Sequence, residues 1–85
     1  MSKDKNWQVY IIQTETGKLY TGITTDISRR LSEHKKNKGA KYFRIENPKE
    51  VVFIEACVNR SEATKTELKI KSLSKNKKLK LIRLH

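Results

Sequence analysis

The stretch LYTGITTDISRRLSEH, Leu19 to His34, sets a tyrosine and a glycine before two adjacent arginines and a histidine. A second tyrosine, Tyr10, precedes it, and a carboxylate, Glu67, sits at the edge of an apolar helical face further on. These side-chain types together suit hydrolysis of a phosphodiester. An arginine stabilises charge on the scissile phosphate, a carboxylate holds a divalent cation, and a tyrosine or histidine takes the proton of water. Magnesium, or manganese in its place, matches an all-oxygen site of one carboxylate, phosphate oxygens and retained waters. A tyrosine base needs its pKa lowered from about 10, which a nearby arginine and metal supply.

Each group also has an ordinary role against which this chemistry is weighed. Strand tyrosines commonly pack at a sheet surface. An arginine beside an apolar stripe snorkels its head into water. A histidine at such a boundary is often a hydrogen-bonded packing residue, and Glu67 on an inner face pairs readily with one of many lysines.

The elements that carry these residues follow from periodicity. WQVYII alternates, with Trp7, Val9 and Ile11 on one face and Gln8, Tyr10 and Ile12 on the other. LYTGI follows after TETGK, which makes a hairpin. A three-residue loop, Glu15-Thr16-Gly17, puts Gly17 at the left-handed position and Tyr10 opposite Gly22. Tyr20 then lies on the diagonal, roughly 7–8 Å away, and Gly22 leaves a hollow where a Cβ would crowd Tyr10.

Asp26 or Thr25 caps a helix running to about Asn37, with Ile27 and Leu31 as its apolar stripe. Arg30 lies roughly 60° from Ile27 and His34 roughly 20°, whereas Arg29 lies roughly 160° away. Only Arg30 of the arginine pair therefore faces inward. KNKGAKYFRIENP reads as a loop punctuated by Gly39 and Pro48, and VVFIEACV as a strand covered on both faces. Ser61 is expected to cap a helix through about Leu73, its inner face Ala63, Thr66, Ile70 and Leu73 with Glu67 at the edge. Ser74 begins a short basic helix, KNKKLKLIRLH. The order is β-β-α-β-α-α, an α/β sandwich on a small, mainly antiparallel sheet.

Length and charge narrow the partner. Eighty-five residues suit one domain, spanning 1–85 with its core at about 7–82. A net charge of +11 points to a polyanion, with nucleic acid ahead of an anionic membrane surface. Arg29, Lys38, Lys41, Lys71 and Lys75 are the cations expected to meet phosphates. No stretch resembles a signal peptide or a membrane span, and residues Met1 to Asn6 are expected to fray. The single Cys57 reads as a buried, reduced thiol of a cytoplasmic protein, and a zinc site is excluded for want of ligands.

QVY (Gln8 to Tyr10) and YTG (Tyr20 to Gly22), followed by Arg30, resemble the signature of the GIY-YIG nucleases. GAKY (Gly39 to Tyr42), RSEA (Arg60 to Ala63) and ELKIKSLSK (Glu67 to Lys75) resemble small stand-alone bacterial members related to the nuclease domain of UvrC. The resemblance runs from Trp7 to about Ile82. It implies a three-stranded antiparallel sheet flanked by helices and a metal-dependent endonuclease acting on DNA, in repair or recombination. By position it implies catalytic roles for Tyr10, Tyr20, Arg30 and His34 and a metal-binding role for Glu67, with Glu62 as a rival. The departures are Gln8 and Val9 for Gly and Ile, and Thr21 for Ile; Gln8 is expected to crowd the strand start. A non-catalytic DNA- or RNA-binding module is the competing reading.

Overall fold

Odd and even residues of the first strand go to different layers, and this division organises the fold. The computed structural model describes residues 6–36 and 46–84. The expectations for the first five residues, Lys38, Lys41, the GAKY stretch and the helix end at Asn37 lie outside them. The elements are β1 (Trp7–Thr14), β2 (Leu19–Thr24), α1 (Ile27–Lys35), β3 (Pro48–Cys57), α2 (Arg60–Lys71) and α3 (Lys75–Leu84). The three strands form one antiparallel sheet in the order β2-β1-β3. The fold is the expected α/β sandwich, β-β-α-β-α-α.

The hairpin takes the register that the three-residue loop requires. Tyr10 pairs with Gly22 and Ile12 with Tyr20, and Gly17 has φ of 89°. Thr14 closes the loop by donating its N–H to the Lys18 carbonyl at 2.8 Å. With that register, Val9 and Ile11 join Phe53, Cys57, Ala63 and Ile70 in one core, against which Leu81 and Ile82 of α3 pack. Tyr10 and Ile12 point the other way and pack with Tyr20, Ile27, Leu31, Val51 and Ile54. Hence α1 covers the tyrosine face, and α2 and α3 cover the opposite one. Each fully buried aliphatic side chain contributes roughly 1.5–3 kcal/mol, so neither layer can slip cheaply. Cys57 is buried on the α2 side, as expected of a reduced thiol.

Four boundaries differ from expectation, at both ends of β3 and of α2. β3 begins at Pro48 rather than Val51 and ends at Cys57 rather than Val58. Proline is tolerated there as the first residue of an edge strand, and register shifts against β1 after Ile11 and Gln13 let the extra residues pair. α2 is capped by Asn59, whose Oδ1 accepts the Glu62 N–H at 2.9 Å, so Ser61 lies inside the helix. α2 also stops at Lys71, with Leu73 just beyond it. In α1 the capping residue is Asp26, whose Oδ1 accepts the Arg29 N–H at 3.1 Å.

Candidate active site on the tyrosine face

Tyr10 is 1% exposed and its ring runs over Gly22. A Cβ on Gly22 would stand 2.5 Å from the Tyr10 hydroxyl and 2.7 Å from Cζ, so the hollow is required. The Tyr10 hydroxyl lies 3.1 Å from Nε2 of His34, which is fully buried. Tyr20 completes an aromatic trio. Its ring centroid is 6.3 Å from that of Tyr10 and 5.5 Å from that of His34, edge-on to the latter. Helical spacing placed His34 beside the stripe; the fold puts it wholly inside, under the sheet face that Tyr10 lines.

Arg30 reaches the same place. Its guanidinium lies near enough to the Tyr10 phenol for each to shift the other's proton affinity, while its Nη1 donates to Glu33 Oε1 at 3.0 Å. Arg29 projects outward, 56% exposed, and donates to the other Glu33 oxygen at 3.1 Å. Sequence reasoning found the inward arginine but missed Glu33, the acid that bridges both. The available signal was its spacing, three and four residues after the two arginines. It also missed the role of Gln8, which was weighed only as a bulkier stand-in for glycine. Gln8 Oε1 accepts the Ile27 N–H at 3.2 Å and ties the first turn of α1 to β1.

Electrostatics follow from burial. Desolvation pushes the Tyr10 phenol up to about 12, against the pull of Arg30. Desolvation, then the Arg30 charge, push His34 down to about 4, so its imidazole is neutral at physiological pH. Glu33 is held below the usual carboxylate range, chiefly by its hydrogen bond from Arg30. Glu67 lies close enough to act on the Tyr10 phenol, raising its pKa, and its carboxylate is 17% exposed. It is also ion-paired with Lys71 at 2.9 Å. Glu62 is 52% exposed and pairs with Lys65, and the groups acting on Tyr10 do not include it.

The structure thus brings together Tyr10, Tyr20, Arg30 and His34, from β1, β2 and α1, and sets Glu67 of α2 near enough to act electrostatically on the Tyr10 phenol. Lys71 stands beside Glu67, and Lys75 opens α3. Among the described residues, no three His, Cys, Asp or Glu side chains gather as a metal cluster. The donor chemistry present suits a hard cation held by one carboxylate that keeps most of its water. Among the same residues, no helix is long and apolar enough to cross a membrane.

Comparison with known proteins places the chain in a family. Residues 6–80 match the family described as the GIY-YIG catalytic domain. A UPF0213 protein of Pectobacterium carotovorum subsp. carotovorum is 51% identical over 76 residues, covering 89% of this chain and 77% of that protein. A UPF0213 protein of Desulfotalea psychrophila is 50% identical over 78 residues, covering 91% and 71%. The solution NMR structure of a UPF0213 protein from Bacillus halodurans is similar at a TM-score of 0.60 and 41% identity, covering 92% of this chain and 83% of that one. The paired strand tyrosines, the inward arginine and the match over nearly all of the sequence make this chain a member of the GIY-YIG family.

Proposed function

We propose that the chain is a divalent-metal-dependent endonuclease that hydrolyses DNA phosphodiesters, leaving 5′-phosphate and 3′-hydroxyl ends. The observation that carries this reading is the convergence of two tyrosines, an arginine and a histidine from three elements on one site, with the Glu67 carboxylate within electrostatic reach of Tyr10. The family supplies the nuclease chemistry and its general dependence on a divalent cation.

The five groups divide by access. Tyr10, buried and with its pKa at about 12, keeps its proton and acts as a hydrogen-bond donor. His34, buried and neutral, holds the Tyr10 hydroxyl in place. Tyr20 and Arg30 are only partly buried and face the substrate side. Arg30 stabilises the charge that develops on the phosphoryl oxygens, and Tyr20 orients the attacking water and takes its proton. Glu67 would hold magnesium or manganese, which when bound lowers the pKa of water and polarises the phosphate. The base edges of DNA are not read by any of these groups, so selectivity rests on DNA shape and flexibility. On this reading the chain serves DNA repair or recombination in the cytoplasm.

One observation favours the binding-module alternative: Glu67 is already neutralised by Lys71. A single assay separates the two. Plasmid, branched DNA and RNA are incubated with magnesium, with manganese or with chelator, alongside Arg30→Ala. Metal-dependent cleavage of DNA, lost in the variant, is expected. Binding without cleavage under every metal condition would leave only the binding module.

A further inference from the structure

The positive charge of this chain is not spread evenly over its helices. On α1, Arg29 and Arg30 share Glu33, and Arg29 also approaches Asp26. On α2, Lys65 pairs with Glu62 and Lys71 with Glu67. α3 is different: Lys75, Lys77, Lys78, Lys80 and Arg83 share it with no acid at all. Among the described residues, none of these five is in an ion pair. An ordinary solvated helix mixes both signs, as α1 and α2 do here.

The placement of α3 matters as much as its charge. Leu81 and Ile82 hold it on the core of Val9, Ile11 and Phe53, across the sheet from the tyrosine face. With those two inward, helical spacing puts Asn76, Lys80 and Arg83 along the outer crest and Lys75 and Lys77 on its flanks. From Lys75 to Arg83 the helix rises about 12 Å. That length of duplex carries about seven phosphate charges. Leu79 and Leu84 are exposed but lie on opposite flanks, which suits a polar rod better than a lipid surface.

We propose that α3 is a second nucleic-acid surface, which holds the phosphate backbone of a different segment from the one at the catalytic face. This rests on the reading that the chain acts on nucleic acid. Because α3 packs on the sheet face opposite Tyr10, Tyr20 and α1, a single straight duplex does not run along both. One chain therefore bridges two segments, and branched or folded substrates gain over linear ones by an effective-concentration advantage.

The test uses the full chain without divalent metal and short DNA hairpins carrying either a donor or an acceptor fluorophore. With hairpin in excess, sedimentation is expected to show two hairpins on one chain, and energy transfer is expected between the two labels. The triple variant Lys77→Gln, Lys80→Gln, Arg83→Gln alters exposed residues only and should melt as the wild type does. It is expected to bind one hairpin, to show no transfer, and to lose about 2.7 from the log–log salt slope, about 0.9 for each of three cations. One hairpin per wild-type chain, or transfer that persists in the triple variant, overturns the proposal. So does a variant that still holds two hairpins but no longer adheres to phosphatidylserine vesicles. A chain that bridges but never cuts overturns the nuclease reading alone, whereas one that cuts but never bridges overturns the second surface alone.

Discussion

The Tyr10 hydroxyl and His34 Nε2 stand 3.1 Å apart inside the protein, joining the middle strand of the sheet to the helix that carries Arg30. Both groups are almost wholly out of water, so the bond is an internal brace for the site. It fixes α1 over the tyrosine face, and with it the direction of the arginine.

That brace makes stability depend on pH. The unfolded imidazole takes up a proton near 6.5, whereas His34 in the fold does so only near 4. Between these values the unfolded chain binds more protons, so stability is full above the window and falls as the pH drops through it. Lowering the pH from 6.5 to 5 should cost about 2 kcal/mol. Denaturant midpoints measured across this range for the wild type and His34→Gln check the claim. A slope that survives in His34→Gln would assign the effect to another group. Glu33 and Glu46, whose folded pKa values are lowered, contribute stability that is fully present above their usual range near 4.5 and is lost only as the pH falls below it.

Gly22 is expected to be intolerant of even a methyl group. The ring end that a Cβ would strike is buried and hydrogen-bonded, so Tyr10 cannot swing clear without losing His34. Gly22→Ala should therefore destabilise by roughly 1–3 kcal/mol, the usual cost of overpacking. Tyr10→Phe removes the nearer of the two clashes, so the double variant should be less destabilised than the sum of the singles. Strict additivity in thermal melts would mean that the two residues do not meet.

Much of this site was legible beforehand. Strand alternation and Gly17 determine which faces the two tyrosines share, and helical spacing separates Arg30 from Arg29. What escaped is instructive. Asn59 and Ser61 both satisfy the chemistry of a helix cap, and only the backbone geometry chooses Asn59. Pro48 reads equally as loop punctuation or as the start of an edge strand. Glu33 was hidden because a helix dense in charge offers many pairs at three- and four-residue spacing. Gln8 was judged as a substitute for glycine, while its partner, the Ile27 N–H, is far along the chain and adjacent only once the sheet and α1 meet.

The arginine pair offers a direct comparison. Arg30→Ala should lose on the order of 10²-fold or more in turnover, because its guanidinium serves the developing phosphoryl charge. Arg29→Ala removes an exposed side chain held by Glu33 and Asp26, and should change turnover far less while weakening DNA binding modestly. Single-turnover rates at saturating protein separate these effects. Equal losses in rate from both variants would show that the inward placement of Arg30 has no bearing on the chemistry.

Glu67 and Lys71 carry the last expectation. Their contact at 2.9 Å gives the carboxylate a cationic partner where the proposed metal would sit. A bound divalent ion and the lysine then compete for the same oxygens. Glu67→Gln keeps the shape but removes the charge. It should bind DNA at least as tightly as the wild type and cut poorly at every metal concentration. Lys71→Ala frees the carboxylate, so half-maximal cleavage should need less magnesium, although the loss of one cation should weaken DNA binding slightly and reduce its salt slope by up to about 0.9. Titration of magnesium at fixed, saturating DNA reads both effects. If folded Glu67→Gln cuts normally with magnesium, the ion is held elsewhere. Glu62, more exposed and paired with Lys65, is then the next carboxylate to change.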